Sequence, residues 1–308
     1  MKVFFTTRVL LALLAGVILS ASSFAAIRVG LQGYSPAHLA IVRFLAASAT
    51  LLVYALFSYF RLPRQRDIPG ILLAGFFGFT LYNLALNYGE TKVPAGTASL
   101  LISSTPIWTA LLASMSLRER LRGWGWFGIL LSFAGAAIIA LGEGHGVHFS
   151  KHALWIMAAS ISAAAYLVIQ KHFLDRYSAL EFTAYCIWAG TLLMLPLGGG
   201  LWHSIARAAV PSTLAAVYLG VFPAALAYVA WAYVSSHAPA SRVASLLYLI
   251  PVGAILIAWL WLGEVPQMMS LLGGGIALAG VLVVNTIGRS AHPVQPIRAV
   301  TSAPGNAA

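Results

Sequence analysis

Charged side chains are scarce in this sequence of 308 residues, where Asp, Glu, Lys and Arg make up 8% of the chain. Soluble domains carry about 25% charged residues, so this chain has too few to cover a surface that faces water. Hydrophobic residues make up 60% of it, and the mean hydropathy is +0.88. The composition therefore excludes an ordinary soluble domain and predicts a protein embedded in a lipid bilayer.

Cysteine and acidic residues are also few. The single cysteine, Cys186, excludes an intrachain disulfide and a thiolate metal cluster. The seven acidic residues all fall at or near the ends of predicted helices, which argues against a carboxylate-driven proton antiporter and against a cage for a hard cation. The motifs HExxH and GxSxG and the nucleotide-binding P-loop are missing. We therefore predict no enzymatic activity, no cofactor and no metal site.

The net charge of +11 would suggest a nucleic-acid partner in a soluble protein. Here the basic residues fall in short gaps between apolar runs, as the positive-inside rule describes, and no nucleic-acid partner is predicted. If the N-terminus is cytoplasmic, thirteen Lys and Arg residues fall in cytoplasmic segments. Only four, Arg28, Lys92, Lys151 and Arg207, fall in outer segments. This bias predicts that both termini are cytoplasmic.

Ten apolar runs follow one another with short linkers, each close to the roughly 20 residues that a spanning helix needs. They cover residues 9–29, 37–60, 68–88, 95–117, 124–141, 152–171, 179–199, 211–235, 240–262 and 267–287. The predicted fold class is an all-α polytopic membrane protein with ten transmembrane helices. Residues 289–308 are rich in Pro, Ala and Ser, and we predict a disordered cytoplasmic tail there.

The two halves of the chain repeat each other. Residues 88–119 and 233–264 align without a gap at an offset of 145, which predicts one five-helix repeat over residues 1–146 and a second over residues 147–288. Because five is an odd number, the second repeat enters the membrane from the opposite side. Inverted repeats are a recurring design of secondary transporters, so a transporter is predicted, with a duplicated structural or sensory membrane protein as the alternative.

Two prolines occupy equivalent positions inside the fourth and ninth runs. Pro106 and Pro251 each lie about twelve residues into a run, where a proline removes a backbone hydrogen bond and frees a carbonyl group. One interpretation is a hinge or kink that lines the substrate site. The other is a kink that serves packing alone.

Polar and aromatic residues recur on single faces of several predicted helices, where contact with lipid would waste them. They are predicted to line a central cavity between the halves, and the set is Tyr82, Asn83, Ser99, Ser103, Tyr166, Tyr228, Trp231, Ser245 and Tyr248. The alternative for each serine is a hydrogen bond between helices.

Three further features have specific interpretations. Arg43 lies inside the second run, where it either snorkels, pairs with an acid, or faces the cavity and suits a carboxylate or phosphate. Glu119 and Glu264 follow the fourth and ninth runs and are predicted to pair with an arginine or to cap the next helix. Small residues form ridges on the fifth and tenth runs that predict close packing of these helices as a scaffold. The ridges are Gly128, Ser132 and Gly135, and Gly273, Ala277 and Gly280.

The paired sequences PAGTASLLISSTPIWTALLASMSLRE and PASRVASLLYLIPVGAILIAWLWLGE, each followed by a glycine-rich helix, resemble the drug/metabolite transporter superfamily and its EamA-type exporters. The likeness covers nearly the whole chain. Within the family it is most similar to bacterial exporters of aromatic and other neutral amino acids. The resemblance implies a multi-pass carrier of the bacterial inner membrane, with a central cavity and often without an obvious coupling ion.

The resulting prediction is a monomeric exporter of small amphiphilic metabolites that works by alternating access. Two alternatives remain open. A nucleotide-sugar or phosphate-ester exchanger would need Lys or Arg in the cavity, where Arg43 is the one candidate. An integral membrane enzyme would need clustered ionisable residues, for which His172, Asp175 and Arg176 are the one weak cluster.

Overall fold

The computed structural model describes residues 7–58, 60–116, 123–142, 150–237 and 247–286, and every regular element in these ranges is helical. The α-helices are α1 (Thr7–Gly30), α2 (Pro36–Leu56), α3 (Ile68–Gly75), α4 (Tyr82–Glu90), α5 (Ala95–Ile102), α6 (Thr105–Ser116), α7 (Gly123–Gly142), α8 (Lys151–Lys171), α9 (Ala179–Met194), α10 (Leu201–Arg207), α11 (Val210–Val221), α12 (Ala227–His237), α13 (Leu249–Leu262) and α14 (Met268–Thr286). Short 3₁₀ turns occupy Gln65–Asp67 and Leu195–Leu197, and π-helical segments occupy Phe76–Leu81 and Phe222–Leu226.

Seven helical segments among the described residues are long and apolar enough to cross a membrane, and three further apolar helices are shorter. The long segments are Thr7–Gly30, Pro36–Leu56, Gln65–Glu90, Ala95–Ala113, Lys151–Lys171, Ala179–Leu197 and Val210–Val234. The shorter ones are Gly123–Ile139, Leu249–Leu262 and Met268–Val284. The prediction of an all-helical chain with many apolar helices is therefore confirmed. The predicted tail, residues 289–308, lies outside the described residues.

Serine residues fix the starts of α2 and α9 at equivalent positions. The Ser35 hydroxyl accepts the backbone N–H of His38, and the Ser178 hydroxyl accepts that of Glu181. Each satisfies one of the unpaired N–H groups at a helix start. Glu181 also accepts the N–H of Ser178 at 2.8 Å, which completes a capping box. The two capping serines are the second residues of the repeated Tyr-Ser pair of the sequence, at an offset of 143.

The π-helical segments end at equivalent residues, Leu81 and Leu226, at the offset of 145 found in the sequence. The helix before each segment approaches a helix of the other half through a glycine. A Cβ atom on Gly75 would lie 2.7 Å from the carbonyl oxygen of Cys186, and one on Gly220 would lie 2.2 Å from the carbonyl oxygen of Arg43. Since contacts that close do not occur, both crossings require glycine.

The small-residue ridges of α7 and α14 pack against each other, as the sequence predicted. A Cβ on Gly135 would lie 2.4 Å from the backbone oxygen of Gly273, and one on Gly280 would lie 2.5 Å from that of Gly128. Across the same contact the Ser132 hydroxyl donates to the Ala277 carbonyl at 2.8 Å. The two backbones therefore touch along the length of the pair.

The expectation that Pro106 and Pro251 lie deep inside continuous helices needs correction. The chain leaves the helical path at Ser103 and Ser104, so Pro106 is the second residue of α6. Pro251 is the third residue of α13. The first turn of a helix has no partners for its N–H groups, and a proline is accommodated there. The prolines thus lie just after a helix start, with an interruption rather than a bend between α5 and α6.

Candidate functional site

An aromatic residue of the first π-helical segment, Phe79, lies at the centre of a group of rings from both halves of the chain. Its ring centroid lies 5.7 Å from that of Phe44 on α2, 5.4 Å from that of Tyr166 on α8 and 6.3 Å from that of Tyr228 on α12. Beside these rings lie the neighbouring residues Arg43, Tyr82 and Asn83. We call the seven residues Arg43, Phe44, Phe79, Tyr82, Asn83, Tyr166 and Tyr228 the central cluster.

Side chains from two helices hold the π-helical turn that carries Phe79. The wide turn departs from the regular hydrogen-bond ladder, and π-helical segments of this kind are frequent at functional sites. The Asn83 amide donates to the Phe79 carbonyl at 2.8 Å, and the Ser162 hydroxyl donates to the Phe77 carbonyl at 2.7 Å. These bonds supply donors to the irregular backbone and fix the position of the Phe79 ring.

Several polar groups of the central cluster are buried and have spare hydrogen-bonding capacity. Arg43 is 8% exposed and Asn83 is 1% exposed. Among the described residues, the Arg43 Nε and Nη1 atoms and the Asn83 Oδ1 atom have no hydrogen-bond partner. The Tyr166 hydroxyl, by contrast, lies 3.1 Å from the Thr183 hydroxyl. Buried polar groups are nearly always paired in folded proteins, so these unpaired groups, gathered among aromatic rings, make the central cluster the candidate site.

The structure does not bring all of the predicted lining residues together. The Ser99 hydroxyl donates to the Gly96 carbonyl and that of Ser103 donates to the Ser99 carbonyl, so both bond to the turn before them. Trp231 donates from its indole nitrogen to the Ser20 hydroxyl on α1 at 3.1 Å and packs in a small separate cluster with Leu13.

Of the remaining predicted residues, Tyr248 stands apart from the cluster as well. Tyr248 packs beside Ile107 and Ile129, against α6, α7 and α14. Ser245 lies outside the described residues. Tyr82, Asn83, Tyr166 and Tyr228 are therefore the predicted site residues that the structure places in one group.

Hydroxyl groups satisfy the carbonyls freed at the interruption between α5 and α6. The Ser104 hydroxyl donates to the Leu101 carbonyl at 2.7 Å, and the Thr105 hydroxyl donates to the Ile102 carbonyl at 2.6 Å. The Ser160 hydroxyl of α8 reaches the same two carbonyls at 3.2 and 3.3 Å. The freed carbonyls thus face protein groups in this structure.

A second polar group lies at the ends of α1, α4 and α13. Glu264 accepts from the Arg28 Nε atom at 2.9 Å and from the backbone N–H of Ala95 at 2.9 Å. The predicted pairing of Glu264 with an arginine is confirmed, whereas the helix start that it caps is that of α5 and not that of the next helix, α14. Its counterpart Glu119 lies outside the described residues. A cavity of about 400 Å³, lined in part by Gln32 and Thr91, adjoins this pair.

Glu90 is an acidic residue that the sequence placed at a helix end and that is buried in the structure. It is indeed the last residue of α4, yet it is 0% exposed. Neither carboxylate oxygen has a hydrogen-bond partner among the described residues, and Arg28 donates to its backbone carbonyl at 2.6 Å instead. A position at a helix end therefore does not imply contact with water.

Sequence reasoning also missed Phe44 and Phe79, because an aromatic residue in an apolar run carries no signal of its own. One usable signal was the difference between the repeats. At the offset of 143, the buried Arg43 aligns with Cys186. A metal site gains no support here, since no group of three His, Cys, Asp or Glu side chains among the described residues is placed to hold an ion.

Relatives of known name cover nearly the whole chain. The probable terminal-alkyne amino-acid exporter of Streptantibioticus cattleyicolor is 40% identical over 289 residues, 93% of this chain and 97% of the relative. The uncharacterised transporter YdfC of Bacillus subtilis is 41% identical over 261 residues, 85% of each chain. The uncharacterised inner membrane transporter YedA of Escherichia coli strain K12 is 28% identical over 288 residues, 93% of each chain.

A crystal structure of another protein has the same fold, with a TM-score of 0.61 at 21% identity, over 90% of this chain and 97% of the other. The sequence model of the EamA-like transporter family matches this chain twice, over residues 7–141 and 150–286. The relatives are transporters rather than enzymes. The predicted resemblance is confirmed, and the chain belongs to the EamA-like transporter family.

Proposed function

We propose that this transporter exports small amphiphilic metabolites, aromatic or other neutral amino acids among them, by alternating access through the central cluster. The observation that carries the proposal is the cluster itself, in which aromatic rings surround buried polar groups that lack partners. An apolar side chain would lie against Phe79, Tyr166 and Tyr228. An ammonium group would donate to Asn83 Oδ1. The name of the relative from Streptantibioticus, an amino-acid exporter, supports the same substrate class.

The proposed architecture is ten transmembrane helices in two inverted repeats, residues 1–146 and 147–288, in a monomer of the bacterial inner membrane. The excess of Lys and Arg in the segments assigned to the cytoplasm supports cytoplasmic termini. Equivalent packing in the two halves, at Gly75 and Gly220, supports the duplication. The interruption before Pro106 and the turn just before the helix that carries Pro251 are the proposed points at which the helices bend during transport.

A nucleotide-sugar or phosphate-ester exchanger is less well supported. Phosphate groups are held by several cations, and the described part of the central cluster contains a single one, Arg43. In the weak ionisable cluster that would suit a membrane enzyme, the arginine is already engaged. Arg176 pairs with Asp67 at 2.5 Å, and the Tyr177 hydroxyl donates to the other Asp67 oxygen at 2.7 Å. These bonds give Arg176 a structural role.

The test is uptake of radiolabelled Phe, Trp, Thr and Met into proteoliposomes that contain the purified protein, with and without a pH gradient. Replacing Tyr228→Ala removes a ring of the cluster, and an aromatic contact of this kind is worth about 0.5–1.5 kcal/mol. We therefore expect the transport KM of Phe to rise roughly 2- to 10-fold. Trp202→Ala, at an exposed tryptophan of α10, is the matched control and leaves uptake unchanged.

The outcome separates three cases. Uptake of Phe that depends on Tyr228 and not on Trp202 supports the proposal. Uptake that is equal in both variants removes the central cluster as the site. Absence of uptake for all four amino acids, in protein whose unfolding transition is cooperative, rejects the amino-acid substrate class.

A further inference from the structure

The guanidinium group of Arg43 is the one charged side chain in the central cluster. It is buried within α2, and its Nε and Nη1 atoms have no hydrogen-bond partner among the described residues. The Cζ atom lies 5.3 Å from the centre of the Phe44 ring, and Tyr82 and Tyr228 lie within electrostatic range. A buried cation is stable when paired and costly when left alone. The structure therefore shows a buried cation with unused hydrogen-bond donors among the described residues.

The fold itself does not need a cation at this position. The carbonyl oxygen of Arg43 abuts Gly220, and the carbonyl oxygen of Cys186 abuts the equivalent Gly75. The backbones at the two positions thus make the same close helix crossing in the two halves. One half places a thiol there and the other a guanidinium. The charge is an addition to the duplicated scaffold, which points to a role in function.

An internal ion pair does not occupy the guanidinium either. Glu90 is the nearest candidate, since it lies within electrostatic range of Arg43. Both of its carboxylate oxygens also lack a hydrogen-bond partner among the described residues, so Arg43 and Glu90 do not bond to each other. Glu264, the other carboxylate near Glu90, is already bonded to Arg28 and to the Ala95 N–H. The Nε and Nη1 donors of Arg43 are therefore available to a ligand.

We propose that Arg43 binds the carboxylate of the transported substrate, which makes a free α-carboxylate a condition for transport. The inference rests on the proposed function and names the substrate group that the site reads. The planar guanidinium suits a carboxylate because it offers several N–H donors in a fixed geometry. With the carboxylate there, the substrate ammonium lies towards the free acceptor Asn83 Oδ1, and the apolar side chain lies towards Phe79 and Tyr228.

The experiment measures competition against radiolabelled Phe in proteoliposomes, with unlabelled Phe and with phenylalaninol, in which a hydroxymethyl group replaces the carboxylate. We expect phenylalaninol to compete about 10- to 100-fold more weakly than Phe, the range for the loss of a charge-assisted hydrogen bond. Arg43→Gln removes the positive charge and raises the KM of Phe by a similar factor. Arg43→Lys keeps the positive charge and should raise the KM of Phe less than Arg43→Gln does. Arg207→Gln, at an exposed arginine of α10, is the control and changes neither value.

A double variant separates ligand binding from a structural role. If Arg43 only neutralised Glu90, then Arg43→Gln combined with Glu90→Gln would recover normal uptake, and the proposal would be wrong. Under the proposal the double variant keeps the high KM of Arg43→Gln. Equal competition by Phe and phenylalaninol in the unaltered protein would also overturn the inference while leaving amino-acid transport intact. Absence of Phe uptake in the unaltered protein rejects the proposed function itself.

Discussion

Glu264 links the loop after α13 to α1 and to α5. One carboxylate oxygen accepts from Arg28 and the other from the N–H of Ala95, the first residue of α5. Charge-assisted hydrogen bonds contribute about 1.5–3 kcal/mol, and partial exposure of both side chains reduces this through solvent screening. We expect Glu264→Gln to lower the free energy of unfolding by roughly 1–2 kcal/mol. Thermal unfolding of the purified protein in detergent measures the change.

Asp175→Asn is the matched control for this charge removal. Asp175 is exposed, and the described residues place no hydrogen-bond or ion-pair partner beside it. The substitution should leave the unfolding temperature unchanged. If Glu264→Gln also unfolds at the unaltered temperature, the contacts of Glu264 do not stabilise the fold.

The sequence predicted the arginine pairing of Glu264 and the position of Glu90 at a helix end, but it gave no sign that Glu90 is buried. Glu264 occupies the position equivalent to Glu119 in the sequence, and this recurrence singled it out, although its partners Arg28 and Ala95 lie far away along the chain. The burial of Glu90 depends on α1 and on the loop after α13, which pack over the end of α4. Contacts between distant parts of the chain leave no local pattern that sequence reasoning can read.

At the scale of elements, two substitutions show whether the proline or the hydroxyl groups stabilise the interruption between α5 and α6. Ser160 reaches the carbonyls of Leu101 and Ile102 from α8, whereas Pro106 only occupies the first turn of α6. Ser160→Ala removes the donor from α8, while Ser104 and Thr105 still donate to these carbonyls, and should cost about 0.5–1.5 kcal/mol. Pro106→Ala should cost about 0.4–1 kcal/mol, through greater freedom of the unfolded chain. Thermal unfolding of both variants measures the difference, and a larger cost for Pro106→Ala would contradict this account.

The packing of α7 against α14 gives a second prediction at this scale. A Cβ on Gly135 would lie 2.4 Å from backbone atoms of Gly273 and Ala277, which cannot move aside alone. Gly135→Ala must therefore separate the helices and should destabilise the protein by about 1–3 kcal/mol. Unfolding in detergent and the yield of folded protein measure the effect.

Gly275 provides the matched control on the same helix pair. A Cβ there would meet nothing within 4 Å, so the substitution adds only helix propensity. Gly275→Ala should stabilise the protein by up to about 1 kcal/mol. The opposite signs at two glycines separate a close helix contact from the general effect of adding a methyl group. Equal effects at both positions would contradict the packing.

Apolar runs and glycine ridges were readable from the sequence because burial and small size act over a few turns of one helix. The interruption at Ser103 and Ser104 was not, since the chain reads as one apolar run through Pro106. The π-helical segments were not predicted either, because they also lie within apolar runs that read as continuous helices. Their backbone is held by donors such as Ser162 from another helix. Alignment of the repeats gave the equivalence of these elements without giving their shape.

At the scale of the whole molecule, each half builds its interior from the other. α3 crosses α9 at Gly75, and α11 crosses α2 at Gly220. At the ends of these crossings the Tyr34 hydroxyl bonds to Thr213 at 2.8 Å, and the Tyr177 hydroxyl donates to Asp67 at 2.7 Å. Under the proposed alternating access, one of these two equivalent interfaces would open while its counterpart stays closed. The interface at Tyr177 also contains an ion pair between Asp67 and Arg176, whereas the bond at Tyr34 joins two hydroxyl groups.

The proposed inversion of the repeats predicts that equivalent residues face opposite sides of the membrane. Gln32 and Asp175 are such a pair, at the offset of 143, and both are exposed. Single cysteines are placed at each in a Cys186→Ala background, which is mild because Cys186 is a small buried residue. In right-side-out membrane vesicles, a membrane-impermeant maleimide should label Gln32→Cys directly and Asp175→Cys only after detergent is added. Labelling of both from outside would mean that the repeats run in the same direction, whereas direct labelling of Asp175→Cys alone would keep the inversion and place both termini outside.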